Sequence, residues 1–169
     1  AGADDNASGV AVMLEIARIC HNHQFIPRLD VDFMAYDGEE FGLYGSKYDA
    51  HKRNQNQSKV VVMLNNDMVA NDPNDQKNMN IFWYDNSMQE RSDAALMCDN
   101  FTTLTPVIFD IAGNGLSHNS DSYSYYLEGY HAVFAMENAM SPYYHGPLDV
   151  TSQYNYNYVA EVTKMNLAM

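Results

Sequence analysis

The sequence predicts an α/β fold: a mostly parallel or mixed central sheet with helices on both faces, in one domain. Short β-like runs at 29–36, 59–64, 80–84 and 131–137 are separated by segments of helical spacing. Strands that alternate with helices in this way build layered α/β domains. At 169 residues and 19.1 kDa the chain is long enough for one sizeable core and too short for two comfortable ones. Its hydrophobic fraction of 46% suits a packed globular chain.

The chain opens on a polar loop, AGADDNASG, whose Ser8 is placed to cap the helix that follows. In that helix Val10, Met13, Leu14 and Ala17 recur at helical spacing, with Glu15 and Arg18 on the wetter side. Pro27 biases Ile26 out of the helical region and ends the segment. Leu29 to Tyr36 alternates and reads as a strand leading into the acidic turn YDGEEFGLYGS, after which 42–52 reads as a short helix. Lys59 to Leu64, KVVVML, is a short β-branched run that predicts a central strand and runs into Asn65, Asn66 and Asp67. Asn80 to Tyr84 is a strand with Trp83 half-buried, and Met88 to Cys98 is a helix with Glu90, Arg91 and Asp93 on its solvated face. The β-like piece VIFDI precedes the loop AGNGLSHNSDS, and Ser122 to Leu127 reads as a helical turn. His131 to Glu137 is a further strand; a loop pinned by Pro142 and Pro147 follows it, and a helix within Gln153 to Leu167 closes the domain.

Nine Lys and Arg against 22 Asp and Glu leave a net charge of −13, which argues against nucleic acid as a partner and favours a cationic ligand, a bound metal or an acidic exterior. No apolar run approaches the roughly 18 residues of a membrane span. Cys20 and Cys98 either form one disulfide or sit apart as buried thiols. Thirteen tyrosines, many asparagines and few lysines point to a secreted, periplasmic or cell-surface bacterial protein. With no initiator methionine, signal peptide or leading strand, the chain reads as a processed or truncated piece. An incomplete sheet would expose an edge and invite an oligomer through pairing with another chain.

Asp5, Glu40, Asp67 and His145 all fall in loops beside regular elements. Carboxylate oxygens with one imidazole suit zinc, with manganese or cobalt as substitutes. Two zinc ions about 3.5 Å apart need a shared carboxylate, which the Asp4–Asp5 pair offers. Capping explains one acid ahead of a helix better than it explains two side by side. Glu39 and Glu40 point in different directions, so one can hold a cation while the other faces a water as general base. A solvated acidic turn is the alternative for this string taken alone.

The motifs GADDNASGVAVMLEIAR, YDGEEFGLYGS, NNDMVA and YYHGPLD span nearly the whole chain. On them the chain resembles the co-catalytic dizinc aminopeptidases with a bridging aspartate, a family of leucyl-aminopeptidase-like and glutamate-carboxypeptidase-like zinc peptidases. The resemblance is to their catalytic domain minus its N-terminal part. It implies a single zinc-exopeptidase domain over 1–169, phosphorylase/hydrolase-like, without its N-terminal strands. It also implies two zinc ions and hydrolysis of the N-terminal peptide bond of a peptide or protein substrate. Carried over, Asp5 is the bridging ligand, Glu39 the general base, and Glu40 and His145 ligands of one zinc. Asp67 is then a ligand of the other zinc, and Tyr144 steadies the oxyanion. Ser122 departs from the pattern, standing where the family places a histidine after Ser120-Asp121. The family's upstream histidine and its orienting aspartate also lie outside this sequence, leaving the Asp67 metal with only Asp5 and Asp67. The alternatives are a mono-zinc acyltransferase similar to glutaminyl cyclases, which share the fold, and an inactive, metal-poor fragment. Asp67 and the GEEFG string fit the peptidase better.

Overall fold

The computed structural model describes residues 2–109 and 118–169, and over these the chain forms five α-helices and four strands. The helices are α1 (Ala7–Asn22), α2 (Tyr44–Gln55), α3 (Met88–Phe101), α4 (Ser122–Leu127) and α5 (Tyr156–Ala168). The strands β1 (Met63–Asn66), β2 (Asn78–Trp83), β3 (Thr105–Phe109) and β4 (Ala132–Glu137) form a sheet of order β1-β4-β2-β3. β1 pairs parallel with β4 and β2 parallel with β3, while β2 and β4 run antiparallel, so the sheet is mixed.

Side-chain alternation along β2 and β4 divides the core between the two faces. Met79, Ile81, Val133 and Ala135 pack under α1, α3 and α5, against Val12, Cys98, Tyr158 and Val162. On the other face Phe82 stacks between Phe109 and Phe134, with ring centroids 5.4 and 5.0 Å away. Ala50 of α2 and Tyr125 of α4 pack there beside Tyr84 and Ala132. Every residue of β4 is buried, as befits a strand with neighbours on both sides and helices on both faces.

The run 29–36 departs from its expected strand, because no described strand lies beside it and a strand exists only through its ladder. Leu29, Val31 and Phe33 are 60%, 55% and 40% exposed. The segment is tied down near its end instead. The Tyr36 hydroxyl meets that of Tyr125 at 2.6 Å and donates to Asp49 at 3.0 Å, while Arg53 pairs with both Asp32 and Asp49 at 2.8 Å. For the same reason the strand expected at 59–64 forms its ladder only from Met63 to Asn66, where β4 runs alongside.

Asn6, not Ser8, caps α1: its side chain accepts the Gly9 N–H at 3.1 Å, while buried Ser8 donates to the Asp4 carbonyl. A 3₁₀ turn at Thr151–Gln153 delays α5 to Tyr156. Positions 110–111 of VIFDI and 112–117 of the following loop lie outside the described residues. Cys20 and Cys98 are free thiols. No helix among the described residues is long and apolar enough to cross a membrane.

Candidate metal centre

Because β1 and β4 are parallel, their carboxyl ends open on one rim of the sheet, the place where α/β proteins bind ligands. Asp67 follows β1 directly, and the loop after β4 carries His145. The Asp4–Asp5 turn reaches the same rim because α1 lies against the end of β1. Asn6 fastens it there, donating from Nδ2 to the Asn66 carbonyl at 2.9 Å and accepting the Met68 N–H at 3.3 Å. A Cβ at Gly9 would lie 2.1 Å from the Asn66 oxygen, so only glycine allows this approach.

The acidic turn is shaped by its backbone. Gly42 and Leu43 donate to the Glu39 carbonyl at 2.9 and 2.8 Å, and Leu43 takes a left-handed conformation just before α2 begins. Glu39 is left half-buried and Glu40 exposed.

Three of the predicted residues converge. His145 Nε2 lies 3.2 Å from Asp5 Oδ2 and 2.7 Å from Glu40 Oε1. The ligand atoms of Asp5, Glu40 and His145 all lie within 4.8 Å of one another. Zinc bonds of about 2.0–2.2 Å would span that spacing after a small side-chain adjustment. Two carboxylates and one imidazole also form the three-ligand set that leaves zinc an open position for chemistry.

Asp67 stands outside this group of three. Its Oδ2 accepts the Ser120 hydroxyl at 2.6 Å, and Ser120 Oγ in turn accepts from Asn65 Nδ2 at 2.6 Å. Tyr144 stacks on the His145 ring with centroids 3.7 Å apart. Burial, with Asp5, Glu40 and Glu39 adding to it, raises the Tyr144 hydroxyl above its usual range.

The carboxylates act on one another. Burial first, then the charges of Asp67 and Glu40, push Asp5 up to about 7. Glu39 rises to about 8, through burial and then Asp67, Glu40, Asp121 and Asp5. Asp67 rises to about 6 by burial, opposed by the Ser120 hydroxyl and reinforced by Asp121 and Glu40. A bound cation is the species that relieves such a cluster, so the donor chemistry fits a divalent metal.

Two side chains that sequence reasoning passed over complete the surroundings. Ser120 orients Asp67, and its only sequence signal was its place in the Ser120-Asp121 motif. Glu137, fully buried at the end of β4, accepts the Asn71 N–H at 2.6 Å on Oε2 and the Ser141 N–H at 2.9 Å on Oε1. Burial, then the charge of Asp4, raises it to about 10. It therefore keeps its proton at neutrality, and the charge of buried Asp4, whose Oδ2 meets no donor among the described residues, acts on it. An acid ending an otherwise apolar strand was the available signal.

Residues 1–169 match the model of Peptidase family M28. A probable leucine aminopeptidase of Arthroderma otae is 30% identical over 173 residues, covering 98% of this chain and 46% of the relative. A probable zinc metalloprotease of Pyrenophora tritici-repentis is 41% identical over 75 residues, 44% of this chain and 15% of the relative. Among solved structures, the LapA aminopeptidase of Legionella pneumophila superposes with a TM-score of 0.81 at 25% identity, over 99% of this chain and 46% of that one. The chain thus spans less than half the length of these relatives.

Proposed function

Because the chain belongs to peptidase family M28, we propose that it carries the site of a zinc-dependent aminopeptidase, which removes the N-terminal residue of peptides and proteins. The observation that carries this reading is the convergence of Asp5, Glu40 and His145 on one point beside the half-buried Glu39. Similarity to a probable leucine aminopeptidase over 98% of the chain supports the substrate class.

In this reading Glu40, His145 and Asp5 would hold one zinc, and Asp67 with Asp5 would hold a second. Zinc bound there supplies Lewis-acid polarisation of the scissile carbonyl and a water acidified toward neutrality. Glu39 is the general base: its carboxylate takes a proton and returns it to the nitrogen of the leaving amine. Glu39 lies close enough to Asp67, Glu40, Asp121 and Asp5 for their charges to act on it, so its carboxylate stands beside the proposed metal donors, where a general base is needed. The Tyr144 hydroxyl, beside His145, donates toward the oxygen on which negative charge develops. The surplus of carboxylates attracts a free α-ammonium group, which favours cleavage at the chain end.

On composition alone we also place the protein outside the cytoplasm. The run 29–36, with no strand beside it among the described residues, supports an oligomer formed by strand pairing.

The test is hydrolysis of an aminoacyl anilide with a free amine and of its N-acetylated analogue. The reading expects cleavage of the first only, lost on chelation and restored by zinc. Equal cleavage of both, or activity indifferent to chelation, would overturn it.

A further inference from the structure

Asp149 closes the YYHGPLD motif four residues beyond His145, and none of the roles above uses it. It is 2% exposed, and its bonds reach back to the start of the chain. Oδ2 accepts the N–H groups of Gly2 at 3.0 Å and Asp5 at 3.3 Å. Oδ1 accepts the Asp4 N–H at 2.9 Å and the Tyr154 hydroxyl at 2.6 Å. The Asp149 carbonyl takes the Ala3 N–H at 3.3 Å. Every backbone N–H from Gly2 to Asp5 therefore ends on this one residue.

An ionised carboxylate has about four acceptor positions, and here four donors fill them. Charge-assisted bonds of this kind are stronger than neutral ones and geometrically demanding. They fasten the Asp4–Asp5 turn to the loop that carries His145, two stretches at opposite ends of the chain. We propose that Asp149 is a positioning residue: it sets the separation of the Asp5 carboxylate and the His145 imidazole, and thereby the metal affinity of the centre. The proposal rests on the reading of Asp5 and His145 as zinc ligands. Tyr154 is the auxiliary, holding the Asp149 carboxylate while its own oxygen lies 3.1 Å from Ser141 Oγ.

The test compares wild type, Asp149→Asn, Tyr154→Phe and a core control, Ile81→Val, by competitive zinc titration and cobalt(II) absorption spectra. Asp149→Asn turns an amide NH₂ onto backbone donors, and its zinc affinity should fall about 10–100-fold, the range for losing a partner that orients metal ligands. Its cobalt bands should shift as well. Tyr154→Phe should lose less, and Ile81→Val should bind as wild type does. Wild-type affinity and spectrum in Asp149→Asn would overturn the proposal and leave the zinc reading standing. So would an equal loss of affinity in Ile81→Val at a matched drop in melting temperature. Wild type that binds no zinc would overturn both. Should Asp149→Asn fail to fold, Tyr154→Phe decides: weakened zinc binding supports the proposal and unchanged binding overturns it.

Discussion

Nε2 of His145 stands 2.7 Å from Oε1 of Glu40, joining the loop after β4 to the turn ahead of α2. Both side chains are about half exposed, 48% and 50%, so the contact contributes little to the fold as an ion pair. Its worth lies in the metal. His145→Ala or Glu40→Ala should change stability by only about 0.5 kcal/mol. Either should weaken zinc binding beyond the 10–100-fold or so that losing an outer partner costs. Thermal melts and competitive zinc titration measure the two effects separately.

Glu39→Gln preserves shape and removes the base. Zinc content should stay near that of wild type, while turnover should fall by about 10²–10⁴, the usual contribution of general acid–base catalysis. Metal analysis paired with steady-state kinetics checks this, and undiminished turnover would move the base elsewhere.

Ser120 joins the side chains of Asn65 and Asp67, bonded to each at 2.6 Å. Ser120→Ala leaves the buried Asn65 amide without this acceptor, a loss worth about 1–3 kcal/mol. Asp67 would also lose the hydroxyl that favours its charged form, so its pKa should rise further above about 6. Urea denaturation reads the first effect and carbonyl-carbon NMR titration the second.

Glu137 makes stability depend on pH. Its folded pKa of about 10 lies above the ordinary value of 4.5, so the folded state holds the extra proton between those limits. The associated stability is fully present below about 4.5 and is lost as pH rises through about 10. The melting temperature of wild type should therefore fall as pH is raised from neutrality toward 10. Glu137→Gln should melt lower, since its amide faces backbone donors, but should lose this slope. Parallel slopes in the two proteins would contradict the assignment.

Helices were legible wherever apolar spacing met a boundary residue: α1, α3 and α4 lie where the sequence places them, within a few residues. Strands were legible only where a neighbour existed. The run 29–36 has the alternation of a strand and no strand beside it among the described residues, and pairing is a property of two segments that one segment's pattern cannot carry. At the site, Asp5, Glu40 and His145 were legible as candidates through the motifs that resemble the zinc peptidases, since the acidic turn taken alone reads equally as a solvated cap. Ser120, Glu137 and Asp149 were not. Each acts through bonds to segments far away in sequence, which exist only once β1 and β4 have brought those segments to one rim.

The most direct test of the metal centre is anomalous diffraction at the zinc edge from crystals of the protein grown with zinc. The account predicts a peak about 2.0–2.2 Å from the carboxylate oxygens of Asp5 and Glu40 and from His145 Nε2. Zinc bound only elsewhere, with no peak among these three side chains, would contradict it.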